Sequence, residues 1–402
     1  MRGGDSSPRE PLAGEGLQWG VVSHRMSAPD CTDSFQSSLQ HIVTTTAALS
    51  DWAARLQSAP AIALDTEFLR ERTYRAELCL IQAATTDDAT CIDPLAQMPL
   101  TPLIPVLSGD APSGSPVKVM HASRQDVEVL FPLAGLVRPV FDTQIAAALT
   151  GLPAQVGYGE LVRRTLGTEL AKSHTRTDWS RRPLSIEQVE YALDDVRYLL
   201  PLKSSLEEQL DKLGRLPWLA EELAGLADVQ SFTVNPDDAW QRLKGLRGLD
   251  PGRTRLTRAL AAWREQRAID RNRPRGWILD DIALREIVMR VPRSVDDLSQ
   301  VPELPAGVVK NCAEEILGMI AAANVPDPPP PLISRPRPSP EQTALVRKLA
   351  ALNQAIAQSL GLSPEVLATR RDIEQLAEGG RDVSVLQGWR RAVVGEPMLA
   401  AL

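Results

Sequence analysis

The chain has 402 residues, 43% of them apolar and 24% charged, with a formal net charge of -7. That length exceeds what one core supports and predicts two or three domains, each large enough to fold alone. No run of about 18 apolar residues occurs, so no membrane-spanning helix is predicted; the net charge disfavours a uniformly basic polyanion binder but leaves local basic patches open.

The N-terminal MRGGDSSPREPLAGEGLQWG has no apolar block behind its charges and is full of Gly, Pro and Ser. Residues 1–40 therefore read as a disordered lead and not as a signal peptide, which predicts a cytoplasmic protein. Cys31, Cys79, Cys91 and Cys312 are scattered, with no C-x-x-C pair and no histidine at zinc-like spacing, so they read as isolated thiols.

From about residue 60 the pattern changes. AIALDTEF (61–68), AELCLIQAAT (76–85) and ATCIDPL (89–95) read as successive strands. VKVMHAS (117–123) reads as a fourth strand leading into the helix RQDVEVLFPLAG, and PVFDTQIAAALTG as a strand passing into another helix. This order predicts a mixed sheet covered by helices. The block, residues 41–215, closes with SIEQVEYALDDVRYLLPL, an amphipathic helix with Ser185 as N-cap, Gln188 at the capping-box position, and an apolar stripe of Val189, Ala192, Leu193, Val196 and Leu200. Beyond it the strand signal vanishes. Residues 216–251 read as a connecting helix and linker, 252–325 as a helical domain, and 326–340 as a stiff proline-rich linker. Residues 341–402 read as a second, diverged copy of the helical domain, because LGLSPEVLATRRDIEQL echoes PRGWILDDIALREIVMR.

Three acidic signals stand out. In ALDTEF, Asp65 and Glu67 point to one face of a strand while Leu64 and Thr66 point to the other. Two such carboxylates repel unless a cation lies between them, and a hard divalent cation takes oxygen ligands; the alternative is an exposed edge with solvated acids. Asp126 falls in the first turn of a helix, where the dipole favours a carboxylate whatever else it does. On the closing helix, Tyr191 and Asp195 lie about 40° apart, whereas Asp194 falls on the other side of Tyr191, beside Glu187 and Glu190. The preference for Asp195 is mild, since an i, i+3 relation keeps Asp194 within reach of Tyr191.

A D-x-E on a strand, an aspartate about sixty residues later and a Y-x-x-x-D on a helix resemble the DEDDy exonucleases. More closely, ALDTEFLRERTYRAELCLIQ, KVMHASRQDVEVL, FDTQIAAAL and KSHTRTDWSRRPLSIEQVEYALDDVRYLLPL are together similar to the ribonuclease D family, over roughly residues 55–215. The region from about 252 to 325 resembles that family's HRDC domain. The resemblance implies an α/β ribonuclease-H-like exonuclease domain, a mixed sheet with flanking helices, followed by all-α HRDC-type domains. It also implies metal ligation by Asp65, Glu67, Asp126 and Asp195, a catalytic Tyr191 that orients the attacking water, and two divalent cations, Mg²⁺ or Mn²⁺. The implied activity is 3′–5′ exoribonucleolytic, releasing nucleoside 5′-monophosphates from structured RNA such as tRNA precursors. Asp142 matches a family position too, as a structural or orienting residue. Both RNA and single-stranded DNA present the same phosphodiester to these acids, so a DNA exonuclease of the same superfamily is an alternative, as is an inactive nucleic-acid-binding protein.

Beside the proposed site, Lys172, His174, Arg176, Arg181 and Arg182 concentrate in one loop suited to phosphate contacts. Phe68 either stacks on terminal bases or belongs to the core. Residues 241–275 carry an excess of eight basic residues. From that stretch Arg264, Arg267, Arg271 and Arg273 are expected to grip the RNA body, against the alternative of a solvated helix face, while Trp263 and Trp277 are expected in the core.

Overall fold

The computed structural model describes residues 41–109, 114–170, 177–226, 234–246, 248–325 and 339–402. The expected N-terminal lead and most of the proline-rich linker lie outside them.

Six strands form the sheet: β1 (Ile42–Val43), β2 (Ala61–Leu69), β3 (Glu77–Ala84), β4 (Ala89–Ile92), β5 (Val117–Met120) and β6 (Val140–Asp142). Their order is β1-β4-β3-β2-β5-β6. β2 pairs antiparallel with β3 and parallel with β5, so the sheet is mixed and β2 runs through its middle. Strand periodicity then divides β2 between two cores. Ile62 and Leu64 pack with helices α1 (Thr46–Ser58), α2 (Ile104–Ser108) and α3 (Arg124–Ala134). Ala63 faces the other layer, α4 (Thr143–Thr150), α5 (Tyr158–Leu166), α6 (Ile186–Arg197) and α7 (Leu199–Lys212). Asp65 and Glu67 continue the Ala63 face, toward α6.

Three local features differ from the expected elements. β1 is a two-residue edge strand with too little sequence to show a period. β5 stops at Met120 because the chain turns there, with Ala122 in the left-handed region at φ 53°. The expected single closing helix is divided at Tyr198, which ends α6 and opens α7. Pro201 lacks the N–H that would bond the Arg197 carbonyl, so the ladder is interrupted there. The interruption shifts the phase, and Leu199 is buried in place of the expected Leu200.

The helices that follow build two further units. A short 3₁₀ helix, Pro236–Arg242, packs Ala239 into a core formed by α9 (Pro251–Asp270), α11 (Asp281–Arg290) and α13 (Ala306–Ala323). The stretch expected as a connector therefore contributes to that core, while α8 (Leu216–Gly225) packs Leu219 elsewhere. Between α9 and α13 lie the short α10 (Arg275–Ile278) and α12 (Val295–Ser299). After the linker the same order starts again: a long helix α14 (Pro340–Leu360), one turn α15 (Pro364–Leu367), and α16 (Arg370–Ala377), with a Ser or Asp N-cap and a proline at N1 opening both long helices. These last helices share one continuous core with the sheet domain, in which Leu349, Leu367, Leu376 and Met398 join Leu149, Leu202 and Leu210. Arg215 ties the units by donating to the Leu149 carbonyl at 2.8 Å and to the Leu360 carbonyl. Trp218 stacks on Trp389 at 4.3 Å.

Candidate active site

The site lies where β2 meets α6 and the start of α3. Asp65, Glu67 and Asp195 each offer a carboxylate oxygen within 4.8 Å of the others. The strand period puts the first two on one face, and α6, packed on that face through Val189, Ala192 and Leu193, brings the third. A bulge between Glu67 and Phe68 shifts the register to β3 immediately after the second acid.

Asp126 is buried next to this trio and held by a bond that no local sequence pattern signals. Thr66, on the opposite face of β2, donates its hydroxyl to Asp126 Oδ1. Asp126 is nevertheless near enough that its charge is, after burial, the main cause raising Asp65.

Asp142 fixes the turn that aims Asp126. Its carboxylate accepts from the Ser123 N–H at 2.7 Å, the Ser123 hydroxyl at 2.9 Å and the Ala122 N–H at 3.2 Å, and it caps α4 through Gln144 N–H at 2.8 Å. Buried and saturated with donors, it has no lone pair to spare for a metal. Its role is to hold the β5–α3 turn.

Electrostatics makes the cluster unfavourable in isolation. Burial, then the charges of Asp126, Asp195 and Glu67, holds Asp65 well above the usual carboxylate range. Burial, then Asp195 and Asp126, pushes Glu67 up to about 8. Burial likewise raises Asp195 to about 7 against the opposing hydrogen bond from Tyr191, and Asp126 to about 6 against that from Thr66. Carboxylates so crowded and so short of donors fit hard cations, which are bound by oxygen and would replace the protons these groups otherwise keep.

Tyr191 donates its hydroxyl to Asp195 and sits half-buried against Trp179, ring centroids 6.1 Å apart. Burial and then the Asp195 charge push its phenol above the ordinary value, so the hydroxyl keeps its proton at neutral pH. Tyr191 and Asp195 also line a cavity of about 430 Å³ with Tyr158, Arg163 and Leu170. Asp194 faces away from the trio: it pairs with Arg197 at 2.7 Å, and the same guanidinium reaches Glu190 at 3.0 Å.

The basic residues expected to contact nucleic acid divide into three groups. Lys172, His174 and Arg176 lie outside the described residues. Arg182, Arg264 and Arg267 are committed internally. Arg182 grips Asp93 at 2.6 and 2.8 Å and donates to the Cys79 carbonyl, stitching the loop to the sheet. Arg264 is buried and bonds the Leu279 carbonyl at 3.0 Å and Asp281 at 2.6 Å. Arg267 pairs with Glu315 across the helical core. Arg181, Arg271 and Arg273 are exposed. Trp277, expected in the core, is 59% exposed, with the Arg273 guanidinium 5.7 Å from its ring. Phe68 is half-buried beneath Arg70.

Residues 40–211 match the 3′–5′ exonuclease family and residues 253–320 the HRDC domain. Fold, acid cluster and these matches define a metal-dependent 3′–5′ exonuclease with an appended HRDC domain. The chain is 37% identical over 364 residues to ribonuclease D of Nitrobacter hamburgensis, covering 89% of this chain and 94% of that one. It is 40% identical over 375 residues to ribonuclease D of a Jannaschia species, covering 90% and 95%. Its fold superposes on the crystal structure of Escherichia coli RNase D, an exoribonuclease involved in structured RNA processing, with a TM-score of 0.79 at 30% identity, covering 90% of this chain and 98% of that one. The chain belongs to the ribonuclease D family. No helix among the described residues is long and apolar enough to cross a membrane.

Proposed function

We propose that this protein removes nucleotides one at a time from the 3′ ends of structured RNA, tRNA precursors among them, with Asp65, Glu67, Asp126 and Asp195 holding two divalent cations and Tyr191 orienting the attacking water. The observation that carries this reading is the carboxylate trio with Asp126 beside it, all four raised first by burial and then by the charge of neighbouring carboxylates. Bound Mg²⁺ or Mn²⁺ would supply an activated water and stabilise charge on the departing 3′ oxygen.

The chain's own residues do the positioning. β2 presents two carboxylates from one rigid strand, Thr66 and Asp142 fix the third at the start of α3, and α6 carries the fourth with Tyr191 one turn before it. With Asp195 directed to a bound cation, the Tyr191 hydroxyl would hold water, as a neutral phenol and not as a base. The Tyr191→Phe variant is expected to lose on the order of 10–100-fold in single-turnover rate, the scale of a misplaced reactant, with the midpoint of a Mn²⁺ activation curve unchanged. A shifted midpoint would assign Tyr191 to metal binding instead.

Support for a structured substrate comes from the HRDC unit and, by family, from the Escherichia coli relative. We read residues 341–402 as a second HRDC-like unit, on the repeated helix order. The described cysteines, Cys79, Cys91 and Cys312, are free thiols, as a reducing compartment keeps them, which supports a cytoplasmic location.

The decisive assay uses a 5′-labelled tRNA precursor and a single-stranded DNA of matched sequence, with and without Mg²⁺ or Mn²⁺. Metal-dependent shortening of the RNA in single-nucleotide steps, with nucleoside 5′-monophosphates released, is expected. Equal shortening of the DNA would mark a nuclease indifferent to the 2′-hydroxyl, and no shortening of either would remove the enzymatic reading.

A further inference from the structure

A second cavity, of about 720 Å³, opens between the nuclease and HRDC domains. Its walls are the β2–β3 connection, the outer face of α3, and residues from Pro236–Arg242 and the start of α10. In a chain of net charge -7, its lining holds five arginines, Arg70, Arg75, Arg124, Arg242 and Arg275, and one acid, Glu128.

The cleft is built and held shut at its base. Tyr74 reaches from the β2–β3 connection to Glu265 of α9, a carboxylate with a fully buried side chain that also pairs with Arg242 at 3.2 Å and Arg275 at 3.5 Å. The Asn272 side-chain oxygen accepts the backbone N–H of Tyr74 at 3.1 Å and of Arg75 at 3.2 Å. Glu265 thus offsets one of the two positive charges that Arg242 and Arg275 bring. Arg75 and Arg124 remain exposed with no acidic partner among the described residues. Arg70 pairs only at the surface with Glu128, 3.1 Å away, a contact worth little against a polyanion.

The cleft also borders the elements that carry the catalytic acids. Arg70 lies three residues beyond Glu67 on the same run of chain, its guanidinium 5.2 Å from the Phe68 ring. Arg124 lies two residues before Asp126 on α3. The elements that carry two of the metal-binding acids therefore extend directly into the two nuclease walls of the cleft.

We propose that this interdomain cleft binds the backbone of unpaired RNA nucleotides lying 5′ of the one being removed, with Arg75 and Arg124 as its phosphate contacts. The proposal rests on the exoribonuclease reading above. A cavity of this size is in the range that holds small ligands, so it admits a few unpaired nucleotides and not a duplex. Tyr74 and Phe131 in the lining give bases an aromatic wall, as single-strand sites do. The cleft spaces the catalytic centre from the first base pair of a structured RNA, so trimming would slow as the unpaired tail becomes too short to fill it. An acidic protein segment would satisfy the same charges, but the placement of the cleft on the two elements that carry Glu67 and Asp126 favours the substrate.

The test is the double variant Arg75→Gln/Arg124→Gln, two exposed changes that leave Glu265 paired. Binding of a fluorescent ten-nucleotide unpaired RNA and of a dinucleotide is measured by anisotropy in EDTA, where nothing is cleaved, across a salt series. For single strands each phosphate contact contributes about 0.7 to the slope of log affinity against log salt. The ten-nucleotide RNA should lose about tenfold in affinity and about 1.4 in slope, and its advantage over the dinucleotide should shrink accordingly. An unaltered slope, an equal loss for the dinucleotide, or an acidic peptide displaced by the substitutions while RNA binding is unaltered overturns the proposal. Failure of the wild-type protein to shorten RNA with metal, while it binds RNA with the expected slope, overturns only the exoribonuclease reading.

Discussion

Asp195→Asn is expected to lower the rate of nucleotide release by on the order of 10³-fold or more, about 4 kcal/mol of barrier, whereas Asp194→Asn stays within about threefold of wild type. The two residues are adjacent and chemically identical, so the contrast isolates geometry. Asp195 shares the carboxylate trio and accepts the Tyr191 hydroxyl. Asp194 points to the other flank of α6, into an ion pair with Arg197 at 29% side-chain exposure. Amide replacement keeps the size of Asp195 and one carbonyl oxygen but removes the negative charge that a hard cation requires. Removing the Asp194 charge costs an exposed ion pair, which contributes at most about 1 kcal/mol. The rates are compared at saturating metal on an unpaired RNA, with circular dichroism to show that both variants fold. Similar losses in both would mean that α6 is rotated from the orientation described, and a mild Asp195→Asn would remove that residue from metal binding.

Much of this geometry is legible in the sequence because it follows from two periods. The alternation along ALDTEF places Asp65 with Glu67, and the 100° step along α6 separates Asp195 from Asp194; both arguments concern residues on one rigid element. What stays hidden depends on contacts across elements. Thr66 faces away from the two acids, as the alternation predicts, but nothing in one strand shows that α3 starts close enough on that side for its hydroxyl to reach Asp126. Arginines are the least legible residues. Arg264 and Arg267 look like a basic helix face in sequence, yet their long stems reach Asp281 and Glu315 on neighbouring helices, and a charge count cannot distinguish a guanidinium spent on the fold from one left to solvent. Arg75 and Arg124 carry no local signal at all, since the cleft they line exists only where two domains meet. The division at Tyr198 is signalled by Pro201, whose missing N–H outweighs an otherwise unbroken apolar stripe.

In EDTA, the protein is expected to melt several degrees lower at pH 8 than at pH 6, and Mg²⁺ or Mn²⁺ should raise the melting temperature more at pH 8 than at pH 6. The sign follows from the acids. Burial, with repulsion from neighbouring carboxylates, holds Glu67 at about 8, Asp195 at about 7 and Asp126 at about 6 in the folded, metal-free chain. In the unfolded chain such groups titrate near 4. Between about pH 4 and pH 8 the folded state therefore binds more protons than the unfolded one, and stability falls as pH rises through that window. Below it both states are protonated and the penalty is absent; above it both are ionised and the penalty is full. Each tenfold difference in proton affinity between the folded and unfolded chain is worth about 1.4 kcal/mol, so Asp195 alone accounts for a penalty on the order of 2–4 kcal/mol at pH 8. A cation removes this penalty by taking the place of the protons, and competes with fewer of them at pH 8, hence the larger gain there. Because other groups also titrate, the informative comparison is with Asp195→Asn. Without that charge, the variant should lose less stability than wild type between pH 6 and pH 8 in EDTA, melt higher than wild type at pH 8, and gain little from metal. Calorimetry at the two pH values checks all three. A wild type equally stable at both, or a variant that follows it in parallel, would show that the four carboxylates are not close enough to oppose one another, and with that the metal site described here would fall.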